Sequence, residues 1–397
     1  MGNISRRFAG SLVTFALLAV CGAAASGVEA VPDVNEAVSL VPVEYRHRLV
    51  QQLSLAEEKR PQWLAAIAKA KPEHREAVAF LLTNMPARDL KDLTADSLLR
   101  NVELAYEARA ATPWASAVPQ ELFFNEVLPY ANLNERRDDW RGDFYKRFMP
   151  LVKDCKSASE ACQVLNREVF KTFKVSYHAT KRHKPDQSPY ESAEIGYASC
   201  SGLSILLADA CRAVGAPARV AGTPLWADGS GNHTWVEVWD KQWFFVGAAE
   251  PGPLNQTWFG GLAAKSKPGD AAHGIYAASF RQTGVAFPLV WNPSNKDYPA
   301  VDVTRYYAGR RKLTVTVAAP EGKAATGKVQ VRSGDELVAQ DAGEKVAFDL
   351  PAGAAYTVDV AAAAGRTQAK VPVELPDDAD RTVTVRLTPS TTQPAVP

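Results

Sequence analysis

At 397 residues the chain exceeds one average domain of ~150 residues. With 46% apolar and only 22% charged residues it can bury a sizeable core, which excludes wholesale disorder. A formal net charge of +1 gives no broad field for phosphate backbones, so no nucleic-acid partner is expected.

Arg6 and Arg7 precede an apolar run over 8–20, and small residues follow at Ala23, Ala25 and Ala30. This pattern predicts an export signal over 1–30 and a periplasmic, extracellular or surface-attached protein. The run is too short for the ~20 helical residues that cross a bilayer, so no integral membrane span is expected. Cys21 follows Leu18, Ala19 and Val20, a loose match to a lipoprotein box with bulky Val20 where a small residue is usual. Lipidation is therefore the lesser reading.

Over 31–147 the pattern is helical. Leu98, Leu99, Val102, Ala105, Tyr106 and Arg109 recur at spacings of three and four, while Pro61, Pro72, Pro86, Pro113 and Pro119 cut the region into short helices. From 148 to 307 the texture changes to helices, short strands and long polar loops at 178–198 and 223–232. Over 308–388 period-two alternation recurs at 313–317, 328–332, 346–350, 356–360 and 382–386, separated by turns bearing Gly and Pro. These read as an antiparallel β-sandwich of immunoglobulin-like type, an accessory module expected to fold independently. The Thr/Pro-rich tail, 389–397, is expected to be disordered. The fold class is α+β.

Four cysteines outlast removal of the signal. In an oxidising compartment Cys155 and Cys162 are close enough in sequence to close a short disulfide loop. Cys200 and Cys211, if on one helix, stand ~16 Å apart, beyond the ~7 Å limit for a bridge. No CxxC pair suggests structural zinc. His178 and His183, in a Lys/Arg-rich loop, and His273, in a Gly-rich one, lack neighbouring ligands, so neither a metal nor a cofactor is expected.

The chemistry concentrates in 197–258. Leu203, Leu206, Leu207, Ala210, Cys211 and Val214 keep helical spacing, Gly215 and Pro217 stop the helix, and Ser199 can cap its start. Cys200 then falls in the first turn, where the helix dipole and free N–H groups favour a thiolate and could hold an oxyanion. Cys211, on the apolar stripe, reads as a buried structural thiol. Thirty-three residues after Cys200, His233 opens an alternating strand through Trp239, and a tight turn at Asp240, Lys241 and Gln242 leads to a second strand over 243–246. A histidine at a strand mouth, downstream of a helix-starting cysteine, is a candidate base for that thiol. Trp235, Trp239, Trp243 and Trp258 read mainly as core. Trp226, in the loop before His233, and Tyr197, just before Cys200, are candidate substrate-binding residues.

The order of the Cys200 helix, Gly215-Ala216-Pro217-Ala218-Arg219, His233-Thr234-Trp235-Val236-Glu237-Val238, then Trp243-Phe244-Phe245-Val246 resembles the transglutaminase-like, broadly papain-like core over 148–259. The resemblance implies a nucleophilic Cys200, a general acid/base His233 and an acyl-thioester route. It also implies an aspartate closing the second strand, and here that position is Gly247, within Val246-Gly247-Ala248-Ala249-Glu250-Pro251. Either Glu250 takes the role, or the site is a dyad, or it is impaired. Glu237, four residues along the strand, lies ~13 Å from His233 and cannot substitute easily. The expected activity is hydrolysis of peptide or amide bonds in a protein or peptide substrate. Crosslinking acyl transfer and a non-catalytic surface binding module are the alternatives.

Overall fold

The computed structural model describes residues 32–307, 309–362 and 367–389. The expected export signal, Cys21 and residues 390–397 of the expected tail lie outside the described residues. The mixed α+β class is as expected.

The N-terminal region is a set of short helices whose starts are set by proline. Pro61, Pro72 and Pro113 each occupy a first helical turn, where the missing N–H costs no intrahelical bond. Of the longer helices, Arg75–Asn84 is buried all round from Ala77 onward, and Ala95–Ala111 buries one face. Arg141, itself buried, ties this scaffold to the core. Its guanidinium donates to Asn101 Oδ1, to the carbonyls of Val127, Leu128 and Pro129, and to the carbonyl of Arg212 on the helix Cys200–Ala213.

That helix is the centre of the core. It packs beside Ala158–Phe173 and against the strands Ala218–Thr223 and His233–Asp240. The antiparallel strands His233–Asp240 and Gln242–Val246 are joined at Lys241, which takes a left-handed φ of 64°. The polar stretch 178–198, read as one long loop, contains a helix at Pro189–Ile195 and a short strand at Tyr197–Ala198 paired in parallel with Ser176–Tyr177. Ser188 and Glu191 form a capping box at the start of that helix. The Ser-Pro-Tyr-Glu spacing is the signal that the loop reading passed over.

The five alternating segments of the C-terminal region are all strands, and two more lie between them, at Glu336–Gly343 and Thr367–Leu375. Glu336–Gly343 buries Leu337, Val338 and Ala339 consecutively around a β-bulge, which hides its period of two. Thr367–Leu375 contains Pro372, which reads against a strand from sequence alone. Two sheets result, consistent with a β-sandwich. Their pairing is antiparallel except along Arg310–Ala318, which takes Arg381–Arg386 in parallel.

The sandwich is not a free-standing module. Glu336–Gly343 pairs with the core strand Gln242–Val246 at Ala339 and Gln242, and the Gln340 N–H donates to the Lys241 carbonyl at 2.6 Å. Core and C-terminal strands therefore make one sheet of ten strands among the described residues, and the chain beyond Val31 forms one compact unit. The seam is sealed by Arg219, 2% exposed, whose guanidinium meets Glu237 at 2.7 Å and Glu336 at 3.1 Å and lies 3.7 Å over the Trp243 ring.

Candidate active site

Ser199 accepts the Gly202 N–H at 3.1 Å as N-cap, so Cys200 is the first residue of its helix, as the sequence predicts. The residue after the cysteine and the residue after the histidine are joined directly. Ser201 Oγ and Thr234 Oγ1 lie 3.0 Å apart in the buried interior and pin the helix start to the head of the histidine strand. Cys200 and His233 consequently line one cleft of about 640 Å³, together with Phe170, Leu203, Ala248 and Glu250.

The imidazole of His233 is walled by aromatic rings, with Trp258 and Phe259 centred 4.9 Å away, Trp235 at 5.8 Å and Trp226 at 6.2 Å. Burial drives its pKa down to about 4, so the ring is neutral near pH 7. Its Nε2 is buried and has no hydrogen-bond partner. An unpaired buried ring nitrogen is costly and marks the place where an orienting acceptor belongs.

Glu250 does not hydrogen-bond that nitrogen. Its Oε1 accepts the Trp258 indole N–H at 2.9 Å. Its carboxylate nonetheless fills the space that a side chain at Gly247 would need, since a Cβ built there would overlap it. The turn carrying it is fastened by Asn166, a buried residue of the helix Ala158–Phe173. Asn166 donates to the carbonyls of Gly247 at 2.9 Å and Glu250 at 3.2 Å, and accepts the Ala249 N–H at 2.9 Å. Ala249 sits at a left-handed φ of 64° within this turn. Asn166 escaped the sequence reading because it lies in mid-helix among apolar residues and 81 residues before its nearest partner.

Other expectations need correction. Trp226 is 2% exposed and stacks on Trp235 at 5.8 Å, so it backs the imidazole from the core side and does not line the cleft. Tyr197 is also absent from the cleft, its ring meeting His178 at 5.3 Å, while Tyr177 on the neighbouring strand lines it. Trp258, read mainly as core, is 61% exposed, because the turn before Gly260–Ala263 buries Phe259 instead. Trp235, Trp239 and Trp243 are buried as expected.

Cys155 and Cys162 are both free thiols, not a disulfide. Cys162 is drawn into the core by the apolar face of Ala158–Phe173, where its thiol meets that of Cys211 on the helix Cys200–Ala213. Glu237 is committed to Arg219 and to the Tyr307 hydroxyl, 2.7 Å away, and does not line the cleft. His178 Nδ1 accepts the N–H groups of Thr180 and Lys181, and His273 pairs with Asp270 at 2.9 Å. Among the described residues no group of three or more His, Cys, Asp or Glu is gathered to hold a metal, and no helix is long and apolar enough to cross a membrane.

Comparison with known proteins bears on the same segment. Residues 149–248 match the family model of the transglutaminase-like superfamily. The match contains Cys200, His233 and Gly247 and stops short of Glu250 and Trp258. Among solved structures, one from Cytophaga hutchinsonii described as a candidate cysteine protease is similar at 14% identity, over 36% of this chain and 47% of that chain, with a TM-score of 0.28. This chain thus spans about half of that protein's length. No curated protein is matched.

Proposed function

With residues 149–248 forming a transglutaminase-like core, we propose that the protein is a thiol enzyme that hydrolyses peptide or amide bonds through an acyl-thioester on Cys200. The observation that carries the reading is the Ser201–Thr234 bridge, which fixes the nucleophile helix to the histidine strand so that both reactive residues face one cleft. A neutral His233 takes the Cys200 proton as the sulfur attacks the carbonyl carbon, and returns it to the departing amine. Amide N–H groups left free in the first helical turn are suited to the developing oxyanion. Water, deprotonated by His233, then attacks the thioester, releasing the acid and restoring the thiol. If an amine attacks instead, the same intermediate gives a crosslink. Glu250 is the proposed third residue, its carboxylate occupying the room that Gly247 leaves on the cleft it shares with His233. The export pattern at 1–30 supports a site of action outside the cytoplasm, on peptide or protein substrates.

One observation favours a second reading. Gly247 and the unpartnered Nε2 of His233 suit an impaired enzyme retained as a surface binding protein. Release of amine from a panel of peptide amides separates the two. Hydrolysis abolished by both Cys200→Ala and His233→Ala supports the enzyme. Activity-free wild type with an unreactive Cys200 thiol supports the scaffold.

A further inference from the structure

We infer that Trp258 is a positioning residue of this site: its indole N–H holds the Glu250 carboxylate in the space left by Gly247, while its ring lies against the His233 imidazole. The inference rests on the reading of Glu250 as the third catalytic residue and supplies the device that such a residue needs here.

A carboxylate that starts four residues beyond the strand end has a longer, looser side chain than an aspartate on the strand itself. It requires an external anchor to be aimed. The backbone half of that anchor is Asn166, which fastens Gly247, Ala249 and Glu250. The side-chain half is Trp258 Nε1, 2.9 Å from Oε1, which leaves Oε2 free to serve as an acceptor. The Trp258 ring, 4.9 Å from the imidazole and tilted 55° to it, connects the carboxylate to the catalytic ring. A tryptophan that served only as packing would be buried like Trp235, yet Trp258 is 61% exposed and lines the cleft. Besides Glu250 and His233, the ionisable groups on the cleft wall are Lys171, Lys174, Tyr177 and Cys200, and Lys171 is occupied by Glu168 at 3.1 Å. Among the described residues Glu250 is therefore the one carboxylate lining the cleft.

The test reads Cys200 directly and needs no substrate. Alkylation by iodoacetamide, mapped to Cys200 as a function of pH, reports how readily the thiol gives its proton to His233. Weakening the acceptor at the imidazole makes the imidazolium costlier and moves the profile to higher pH. Glu250→Gln is expected to move it up by about one pH unit. Trp258→Phe keeps the ring and removes the N–H. It should move the profile the same way, and the double variant should move no further than Glu250→Gln alone. The exposed position accommodates Phe, and Trp258→Ala supplies a second variant. If Trp258→Phe superimposes on wild type while Glu250→Gln shifts, the inference is overturned and the role of Glu250 stands. A shift with Trp258→Ala but none with Trp258→Phe also overturns it, leaving the ring as a simple shield. If Glu250→Gln is silent while His233→Ala shifts the profile, the reading of Glu250 fails and the inference fails with it.

Discussion

A single buried amide shapes the site as much as the residues that do its chemistry. Asn166 makes three hydrogen bonds to the turn that carries Glu250, and each such bond contributes about 1 kcal/mol net. Asn166→Leu should lower stability by about 2–3 kcal/mol in thermal or urea unfolding and displace Glu250, moving the Cys200 alkylation profile as Glu250→Gln does. His233 gives a pH signature of its own. Its folded pKa of about 4 lies below the ordinary 6.5, so between these values the unfolded chain binds a proton that the folded one refuses. Stability should fall as pH drops through that window, and His233→Gln should flatten the fall. Thiol labelling should follow exposure. Cys200, half-buried on the cleft wall, should react before Cys162 and Cys211, which are fully buried. Preferential labelling of Cys211 would refute the catalytic assignment.

Between elements, the decisive contact is the coupling of a glycine at a strand end with a carboxylate in the next turn. A side chain at 247 and the carboxylate of Glu250 cannot share the same volume. Gly247→Ala should therefore push the Glu250 carboxylate, the far end of a flexible and exposed side chain, out of this space at small cost in stability, and should lower turnover. In a Glu250→Ala background the same change should lower turnover no further. A double-mutant cycle measures this coupling, and strictly additive losses would mean that the two residues do not compete. The same principle governs the Ser201–Thr234 bridge. It joins two elements at the positions next to Cys200 and His233, so helix and strand cannot slide apart without breaking a buried hydrogen bond.

Across the whole molecule, the seam between core and C-terminal strands depends on Arg219. Its charge is shared by Glu237 and Glu336, with Glu126 at 3.9 Å. Glu126 lies in the π-helical turn Phe123–Val127, and burial pushes its pKa up to about 7 against the opposing pull of Arg219. The unfolded value is 4.5, so between 4.5 and about 7 the folded chain holds a proton that the unfolded chain has lost. Stability must then fall as pH rises through this window. Glu126→Gln should raise the free energy of unfolding above neutral pH, by an amount on the order of 1–3 kcal/mol, and change little at acid pH. A chain ending at Gly309 would take Glu336 from Arg219 and leave Gln242–Val246 as an open sheet edge. It should melt at lower temperature or aggregate. A truncated chain as stable as the full one would restore the accessory-module expectation.

Local rules account for what the sequence alone could determine. The Ser199 cap, the helix Cys200–Ala213, the strand opening at His233 and the alternating C-terminal strands each depend on residues within a few positions of one another, so spacing and capping chemistry suffice to read them. That Cys200 and His233 come to one cleft was legible because each sits at the end of an element with a clear signature. What only the tertiary structure decided depends on partners far apart in the chain. Trp226 and Trp258 look alike in sequence, yet the packing of Phe259 buries one side of its turn and turns Trp258 to the cleft. Cys162 faces Cys211 and not Cys155, because the apolar face of its helix must be buried. Asn166 finds its turn across 81 residues, and the sandwich joins the core sheet through an arginine whose carboxylate partners come from three separate elements. Spacing along the chain carries no record of such contacts, because the free energy that fixes them is gained only when remote surfaces leave water together.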